Sequence, residues 1–156
     1  MNLQKMVTTY IPQGIFIVTS RDGNKINGMT AAWVSQVSFK PTLLSVSIAP
    51  QRYTYELITN SKYFCINVLS KEHIDLAKHF GFKTGRQINK FETVAYKFAA
   101  NGCPVLEDAI AYFECKLVGE CEAGDHIIVI GEVVDHKILK EGKEPFIFKW
   151  EDFFGG

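Results

Sequence analysis

The segment Pro50-Gln51-Arg52-Tyr53-Thr54 places a guanidinium and a hydroxyl where a short helix is predicted to begin. Free backbone N–H groups and the positive end of the helix dipole lie at such a terminus. Together with Arg52 and Thr54 they would form a phosphate-binding site. The alternative is that Thr54 only caps the helix and Arg52 is only a solvated charge. The segment by itself leaves both interpretations open.

A second chemical signal is the run GMTAAWVSQVS at residues 28–38, in which small side chains precede Trp33. A strand selected only for packing favours Val, Ile and Tyr at its half-buried positions. Small residues instead leave the backbone accessible to another group. The strand-like run LLSVSIA at residues 43–49 also mixes small and hydroxyl side chains and stops at Pro50. The pattern predicts a ligand site at the ends of these two strands, beside the candidate phosphate site.

The cysteines and histidines do not have metal-binding spacing. No pair of cysteines has the CxxC spacing, and the histidines form no HxxxH or HExxH pattern. The residues concerned are Cys65, Cys103, Cys115, Cys121, His73, His79, His126 and His136. We therefore predict no metal site, and we expect buried, inert thiols in a reducing compartment.

Composition bounds the class of protein. The 156 residues are 47% hydrophobic, enough for one domain (residues 1–156) with a full core and no disulfides. Lys plus Arg equals Asp plus Glu at 17 each, and this balance argues against nucleic acid or an anionic membrane as the partner. No signal peptide and no apolar run long enough to span a bilayer is evident, so a cytoplasmic location is expected.

Strand signals dominate the chain. The run GIFIVTS at residues 14–20 is followed by a turn at residues 21–25, and an extended pattern resumes at Ile26, which predicts a hairpin. A second hairpin is predicted from two long strands joined by Ala123-Gly124-Asp125. The two long strands of this hairpin cover residues 111–122 and 126–139. Three further strands are predicted at residues 43–49, 63–69 and 146–150.

Two segments have helical patterns, at residues 54–59 and 70–80, with Gly81 just after the second. About seven strands, two short helices and no regular βαβ alternation predict a mainly β, antiparallel barrel. No Gly-x-Gly-x-x-Gly fingerprint is present, so any nicotinamide site should be shallow and shared with another pocket.

The order of these segments resembles the flavin reductase-like family of FMN-binding split barrels, over about residues 9–139. The similar pieces are GIFIVTS, DG, GMTAAWVSQVS, KPTLLSVSI, the Arg and Thr before a short helix, FCINVLS, a helix ending in HFG, KF and GDHIIVIGEV. The resemblance implies a homodimeric split barrel that binds FMN and takes hydride from NADH or NADPH. The electrons would pass to free flavin, ferric chelates or a protein acceptor.

The resemblance also implies roles for individual residues. Thr30, Ala31, Ala32 and Trp33 match the strand along the flavin, and Ser47, Ile48 and Ala49 match the neighbouring strand end at the isoalloxazine edge. Arg52 and Thr54 match the phosphate end of the site. Phe80 and Gly81 match a loop that closes over the cofactor, with Lys90 and Phe91 in the following segment. His126 matches a histidine on the nicotinamide side. Family members often have Ser at the position of Trp33, so this Trp is expected either to stack beside the flavin or to pack at a dimer interface.

Two alternatives remain, a second kind of enzyme and a binding protein of a different functional class. A relative of the pyridoxamine-phosphate oxidases would share the split barrel, but the sequence shows no Arg or Lys cluster placed for a substrate phosphate. An FMN electron carrier without its own nicotinamide site would have much the same sequence. The absence of a Ser-His-Asp or paired-carboxylate pattern is expected for a flavin oxidoreductase, because the flavin itself carries the redox chemistry.

The C-terminal run FIFKWEDFF predicts how subunits associate. If residues 146–150 form a strand, Phe146, Phe148 and Trp150 lie on one face as an apolar stripe. Such a stripe would be buried against a second copy of the chain or by folding back on its own barrel. We expect the homodimer.

Overall fold

The computed structural model describes residues 2–155, which contain nine strands and four α-helices. The strands are β1 (Phe16–Asp22), β2 (Lys25–Ala31), β3 (Val34–Ser38), β4 (Leu43–Ile48), β5 (Tyr63–Val68), β6 (Tyr96–Phe98), β7 (Pro104–Leu106), β8 (Ala111–Ala123) and β9 (His126–Ile138). The helices are α1 (Leu3–Tyr10), α2 (Tyr53–Ser61), α3 (Ile74–Phe82) and α4 (Trp150–Phe154), and a 3₁₀ turn at Lys71–His73 directly precedes α3.

Seven strands form one antiparallel sheet in the order β2-β1-β5-β8-β9-β4-β3, and β6 pairs with β7 separately. The two edge strands, β2 and β3, are consecutive in the chain, and only Ala32 and Trp33 separate them. The three peptide steps from Ala31 to Val34 span at most about 11 Å. The sheet edges therefore lie close together and the sheet curls into a barrel that stays open between them. The predicted antiparallel split barrel is confirmed.

Both predicted hairpins are present, and their turns follow from the local sequence. Asp22 pairs with Lys25, which leaves a two-residue turn in which Gly23 has a φ of 61°. Ala123 pairs with His126 across Gly124, whose φ is also 61°. Two-residue hairpin turns need positive φ angles that glycine adopts without a steric penalty.

The core has two layers that share β1. Val18 points into the barrel and packs with Ile48, Phe64 and Val129, while Ile17 points outward against Leu69, Phe80 and Phe146. Because successive strand residues face opposite sides, a strand buried on both faces reads as a continuous apolar run. This explains the unbroken pattern of GIFIVTS. The outer layer is covered by α3 and the C-terminal tail.

The C-terminal tail differs from the prediction. Residues 146–150 do not form a strand: Ile147 makes one isolated bridge to Gly14, and Trp150 begins α4. Phe146 is only 1% exposed inside the chain's own outer core, and Phe148 stacks on Phe153 at 5.4 Å between ring centroids. The tail therefore folds back on its own barrel. The predicted strand with one apolar stripe is wrong, because these aromatic residues have partners within the chain.

Other boundaries also differ. Helix α1 was not predicted, since none of its residues is buried and only the Asn2 side chain, which accepts a hydrogen bond from the Lys5 N–H, signals its start. Helix α3 continues to Phe82, so Gly81 lies inside it. Strand β3 is separate from β2, and β6 and β7 are too short to show a periodic pattern.

Within residues 2–155 no helix is both long enough and apolar enough to cross a membrane. The same part of the chain has no group of three or more His, Cys, Asp or Glu residues arranged to hold a metal ion. Cys65, Cys103 and Cys115 are buried free thiols, whereas Cys121 is an exposed one.

Candidate functional site

The opening of the barrel lies where β2 ends and the chain crosses to β3. A cavity of about 200 Å³ occupies this opening, and we call it the split cavity. Its walls are Met29, Thr30, Ala31, Ala32, Trp33, Ser47, Ala49, Arg52 and His126. Eight of these nine residues were predicted from the sequence, on four separate segments of the chain. The fold therefore brings most of the predicted residues together.

The small residues of β2 let a helix pack closely on the strand, and they also leave the strand's backbone accessible at the split. A Cβ atom added to Gly28 would come within 3.1 Å of the Phe80 ring, so glycine lets α3 lie directly on the strand. The Thr30 hydroxyl donates a hydrogen bond to the Ala77 carbonyl of the same helix. Because β2 pairs with a strand on one side only, its other row of backbone groups faces the split and is available to a ligand.

Trp33 and His126 form one wall of the split cavity. Their ring centroids are 4.7 Å apart with the planes tilted by 54°, and Trp33 is 43% exposed. The Trp33 carbonyl accepts a hydrogen bond from the Ser47 N–H at 3.0 Å, which fixes the crossing to β4. The His126 Nδ1 lies 2.7 Å from the Asp125 Oδ1, and this contact lowers the pKa of the Asp125 carboxyl. The Nε2 of His126 remains available on the other side of the ring.

The end of β4 contributes two of its three predicted residues directly. Ser47 and Ala49 line the split cavity, whereas Ile48 is fully buried in the barrel core. This alternation is the ordinary period of a strand. Ile48 therefore positions its neighbours, and its side chain does not face the split.

Arg52 is the residue just before α2, and it lines the split cavity. Its backbone precedes the first helical residue, Tyr53, and burial lowers the pKa of its guanidinium. Thr54 is not the helix cap: its hydroxyl is fully buried and accepts a hydrogen bond from the Asn27 Nδ2 at 3.0 Å. The sequence correctly located Arg52 and Thr54 at one helix start, but only Arg52 has a partly exposed side chain there.

Lys90 is a buried cation near Arg52. It is 2% exposed, and its Nζ donates hydrogen bonds to the Gly28 carbonyl at 2.9 Å and the Phe80 carbonyl at 2.8 Å. The ammonium thus joins β2 to α3. Burial, together with the charge of Arg52, lowers the pKa of Lys90 to about 8. Among residues 2–155 no carboxylate forms an ion pair with either cation.

Arg52 and Lys90 border a second, smaller cavity of about 50 Å³ that we call the basic pocket. Its other walls are Asn27, Met29, Gln51, Tyr53, Thr54, Lys83, Thr84 and Gly85. The sequence predicted no cluster of Arg and Lys residues, but the fold assembles three cations here, from α2 and from residues 83–90. No carboxylate lines this pocket.

One polar atom of the basic pocket has no partner. The Oδ1 of Asn27 is buried and makes no hydrogen bond, although the Nδ2 of the same amide is bonded to Thr54. A Cβ atom on Gly85 would lie 2.2 Å from this oxygen, so only glycine allows residues 83–85 to approach it. Buried acceptors are normally satisfied by the protein, by water or by a ligand. The pocket therefore has room and unused hydrogen-bonding capacity for a polar group.

Three predicted residues occupy different surroundings from those expected. Phe80 and Gly81 belong to α3 rather than to a loop, and Phe80 is fully buried. Phe91 is 3% exposed and packs edge-on against Phe80 at 5.2 Å. Phe80 and Phe91 therefore support the site from the core, whereas the backbone of Gly81 lines two further cavities.

Those two cavities also meet at Arg52. The outer groove has a volume of about 560 Å³ and is lined by Arg52, Gly81, Phe82, Lys83, Thr84, Gln87 and Ile88. The aromatic pocket, of about 180 Å³, is bounded chiefly by Phe82, Phe148, Phe153 and Phe154. It shares Thr30 and Ala32 with the split cavity. Arg52 thus lines all four cavities.

Sequence reasoning missed Asn27, Lys83, Thr84 and Gly85. Asn27 is a polar residue inside a strand, and its partner Thr54 is distant in the chain, so no local pattern reveals it. The Lys-Thr-Gly run at residues 83–85 directly follows α3. Small and basic residues after a helix were the one sequence signal for this part of the site. It becomes informative only when α3 is known to lie beside Arg52.

Comparison with known proteins identifies the family of this chain. Residues 8–155 match the family described as "Flavin reductase like domain". The high molecular weight rubredoxin of Moorella thermoacetica is 38% identical over 139 residues, which is 88% of this chain and 60% of that protein. The ferric-chelate reductase (NAD(P)H) of Archaeoglobus fulgidus is 33% identical over 135 residues, which is 85% of this chain and 80% of that protein.

A solved structure of similar fold is the FMN-binding protein from Thermus thermophilus with bound p-hydroxybenzaldehyde. It has a TM-score of 0.85 and 26% identity, and the match covers 92% of this chain and 85% of that one. The chain spans 60% of the length of the rubredoxin and 22% of the length of diflavin flavoproteins from Nostoc that it also matches.

Proposed function

The chain belongs to the flavin reductase-like domain family of oxidoreductases, and we propose that it binds FMN, takes electrons from NADH or NADPH and passes them to free flavin, a ferric chelate or a protein acceptor. We also propose that residues 1–156 act as one FMN-binding domain. The observation that supports this most is that the buried Lys90 and the half-buried Arg52, at one end of an opening in the barrel, form no ion pair with a carboxylate of residues 2–155.

The electrostatic argument favours an anionic ligand. Two cations that are buried close together repel each other and lose hydration, and this combination destabilises the empty site. Burial lowers the pKa of Arg52, and burial together with the charge of Arg52 lowers the pKa of Lys90. A phosphate in the basic pocket would supply the missing negative charge and would form charge-assisted hydrogen bonds with these side chains.

We assign the remaining parts of FMN to the cavities that Arg52 lines. The split cavity offers backbone groups of Thr30, Ala31 and Ala32 and small side chains that a flat ring system can approach closely. The proposed binding residues on the split cavity also include Trp33, Ser47, Ala49 and Arg52. Thr54, Gly81 and Lys90 bind from the neighbouring cavities, and Ile48, Phe80 and Phe91 are supports in the core. When bound, the flavin would supply the electron-accepting ring, and the chain's residues only need to bind and orient it.

His126 is proposed as the residue that contacts the reacting rings. Its Nδ1 contacts Asp125, its ring packs against Trp33, and the residue lines the split cavity. A fixed ring nitrogen there can form a hydrogen bond with a polar group of the flavin or the nicotinamide. Replacing His126 with Asn should lower kcat more than it weakens FMN binding. An unchanged kcat would remove His126 from the reaction.

An FMN electron carrier without a nicotinamide site is the second candidate. It is supported by the rubredoxin relative, in which a domain like this chain is part of a longer protein. The two functions are separated by whether NADH or NADPH reduces the FMN-loaded protein without a second reductase.

We propose that two copies associate through the β3 edge rather than through the tail. Val37 is 53% exposed and Phe39, just beyond β3, is 88% exposed, on a strand with one free edge. A second copy would cover these side chains. Light scattering should give a dimer for the natural chain and a monomer for Phe39→Asp. A natural chain that is monomeric at micromolar concentration contradicts the proposal.

Titration with FMN and with riboflavin tests the phosphate argument directly. Fluorescence quenching should give a dissociation constant of about 1 μM or less for FMN, or roughly −8 kcal/mol. Riboflavin lacks the phosphate and should bind more weakly. No quenching with either ligand would contradict the proposed function.

A further inference from the structure

The segment of residues 83–90 borders the basic pocket and forms no helix or strand. All of its residues except Gly85 and Lys90 are exposed. Lys83 and Lys90, at the two ends of the segment, both line the pocket. Ordering an exposed segment costs conformational entropy, so the contacts that anchor its two ends determine how well these cations stay at the pocket.

His79 on α3 contacts both ends of this segment. Its Nε2 lies 2.7 Å from the Lys90 carbonyl oxygen, and its Nδ1 lies 3.0 Å from the Lys83 Nζ. The ring is half-buried and packs edge-on against Phe80, with 5.2 Å between the ring centroids. Because Phe80 is fully buried, the core fixes the imidazole in addition to its two hydrogen bonds.

The two partners of His79 fix the protonation state of its ring. A carbonyl oxygen can only accept a hydrogen bond and an ammonium can only donate one, so Nε2 carries the proton and Nδ1 is the acceptor. The imidazolium form has protons on both nitrogens and would place two donors and two positive charges 3.0 Å apart. The geometry therefore requires the neutral imidazole with its proton on Nε2.

This arrangement leaves unused donors at the basic pocket. An ammonium has three N–H groups. Within residues 2–155, the Lys83 Nζ uses one of them for the His79 Nδ1. The Lys90 Nζ uses two, for the Gly28 and Phe80 carbonyls. The remaining donors are available to an anion, since no described residue that lines the pocket is a carboxylate.

We propose that His79 is a positioning residue of the anion site. Through its Nδ1 it holds the Lys83 ammonium at the basic pocket, and through its Nε2–H it ties the far end of residues 83–90 to α3. His79 does not itself line the pocket, so it acts through the lysines rather than by touching the anion. The inference rests on the proposed function, because the anion that the site serves there is the phosphate of FMN.

The test uses substitutions that keep one of the two hydrogen bonds. His79→Gln places an amide near the position of Nε2 and keeps the contact with Lys90, whereas His79→Asn places one near Nδ1 and keeps the contact with Lys83. Lys83→Met and the double variant with His79→Gln complete a double-mutant cycle. His73→Gln is the matched control, since His73 directly precedes α3, is also half-buried and does not line the pocket. Dissociation constants are measured for FMN, riboflavin and inorganic phosphate.

His79→Gln and Lys83→Met should each weaken FMN binding by about three- to tenfold, because each takes one charged donor from the phosphate. Riboflavin, which lacks the phosphate, should scarcely change. The double variant should bind FMN no more weakly than Lys83→Met alone, and His79→Asn should keep most of the natural affinity. His73→Gln should behave as the natural chain. A long-range proton–nitrogen NMR spectrum should show the Nε2–H tautomer of His79.

Unchanged FMN affinity in His79→Gln or in Lys83→Met, or an Nδ1–H tautomer, would overturn the inference, while FMN binding by the same samples would leave the proposed function standing. Equal losses for FMN and riboflavin would also overturn it, because His79 would then support the fold rather than the phosphate. Losses that add in the double variant would overturn it too, since His79 would act independently of Lys83. If the natural chain binds inorganic phosphate but not FMN, and His79→Gln loses phosphate affinity, the role of His79 stands and the proposed function is contradicted.

Discussion

FMN affinity should fall as pH rises from 7 to 9, and Lys90 is the reason. The pKa of Lys90 is about 8 in the ligand-free protein, so its ammonium is mostly charged at pH 7 and mostly neutral at pH 9. The groups that face it are Arg52, Lys83 and Tyr53 on the walls of the basic pocket, and none of them supplies a negative charge in this range. A phosphate is a dianion above pH 7 and would favour the charged form.

The size of the effect follows from the charges. A negative charge about 6 Å from the ammonium contributes roughly 3 kcal/mol at an effective dielectric constant of about 20. That energy raises the pKa of Lys90 by about 2 units, to about 10 in the complex. Linkage between proton binding and ligand binding then weakens FMN by about tenfold between pH 7 and pH 9. Riboflavin, without a phosphate, should change far less over the same interval.

Equilibrium titration of flavin fluorescence at several pH values measures this directly. Lys90→Met removes the titrating group, so its FMN affinity should be lower at pH 7 and nearly independent of pH up to 9. The reasoning would be refuted by equal pH dependence for FMN and riboflavin, or by an unchanged pH dependence in the variant. Either result would place the phosphate away from Lys90.

The same linkage gives the ligand-free protein a matching pH dependence. The folded pKa of Lys90 lies below the value of 10.5 for an unburied lysine, so the unfolded chain binds more protons between these pH values. The free energy of unfolding should therefore gain a contribution as pH rises from about 8 to about 10, up to roughly 3 kcal/mol. Urea denaturation of the natural chain and of Lys90→Met at pH 7.5 and 9.5 tests this, and equal slopes for the two proteins would contradict it.

Three further substitutions probe the site and the fold. Arg52→Ala should weaken FMN by roughly 1.5–3 kcal/mol and riboflavin by much less, and equal losses in titrations would show that Arg52 acts elsewhere. Gly85→Ala forces a methyl group against Asn27 and should lower the free energy of unfolding by roughly 1–3 kcal/mol. Gly119→Ala has open space around its added Cβ and is the control in the same denaturation experiment; comparable losses would refute the close approach. Phe146→Ala should cost about 3–5 kcal/mol because the ring is fully packed, and a change below 1 kcal/mol would place the tail away from the core.

The sequence predicted the sheet well because most strands carry local signals. The two hairpins depend on turns at Gly23 and Gly124 that are recognisable from a few residues. Strand β1 was found because both of its faces are buried. The split of the barrel was not predicted from periodicity, since it depends on β2 and β3 becoming opposite edges of one sheet. Only the resemblance to a family indicated it.

The candidate site was predicted where its residues lie on strand ends and missed where distant segments meet. Arg52 and the run from Thr30 to Trp33 were recognisable as small or basic residues beside turns. The burial of Lys90 and the free acceptor of Asn27 arise from packing of α3 against β2, which no local pattern encodes. The tail was assigned to an interface because alternation at Phe146 and Phe148 indicates one apolar face but does not identify what covers it.

Anaerobic mixing of the FMN-loaded protein with NADH, and separately with NADPH, tests the central claim most directly. If the chain is a nicotinamide-dependent flavin reductase, the visible absorbance band of the flavin should disappear rapidly with at least one donor, and the rate should saturate with donor concentration. Adding a ferric chelate or free flavin should then restore the band. A band that persists with both donors and disappears only after a separate reductase is added would contradict the reductase and identify an electron carrier.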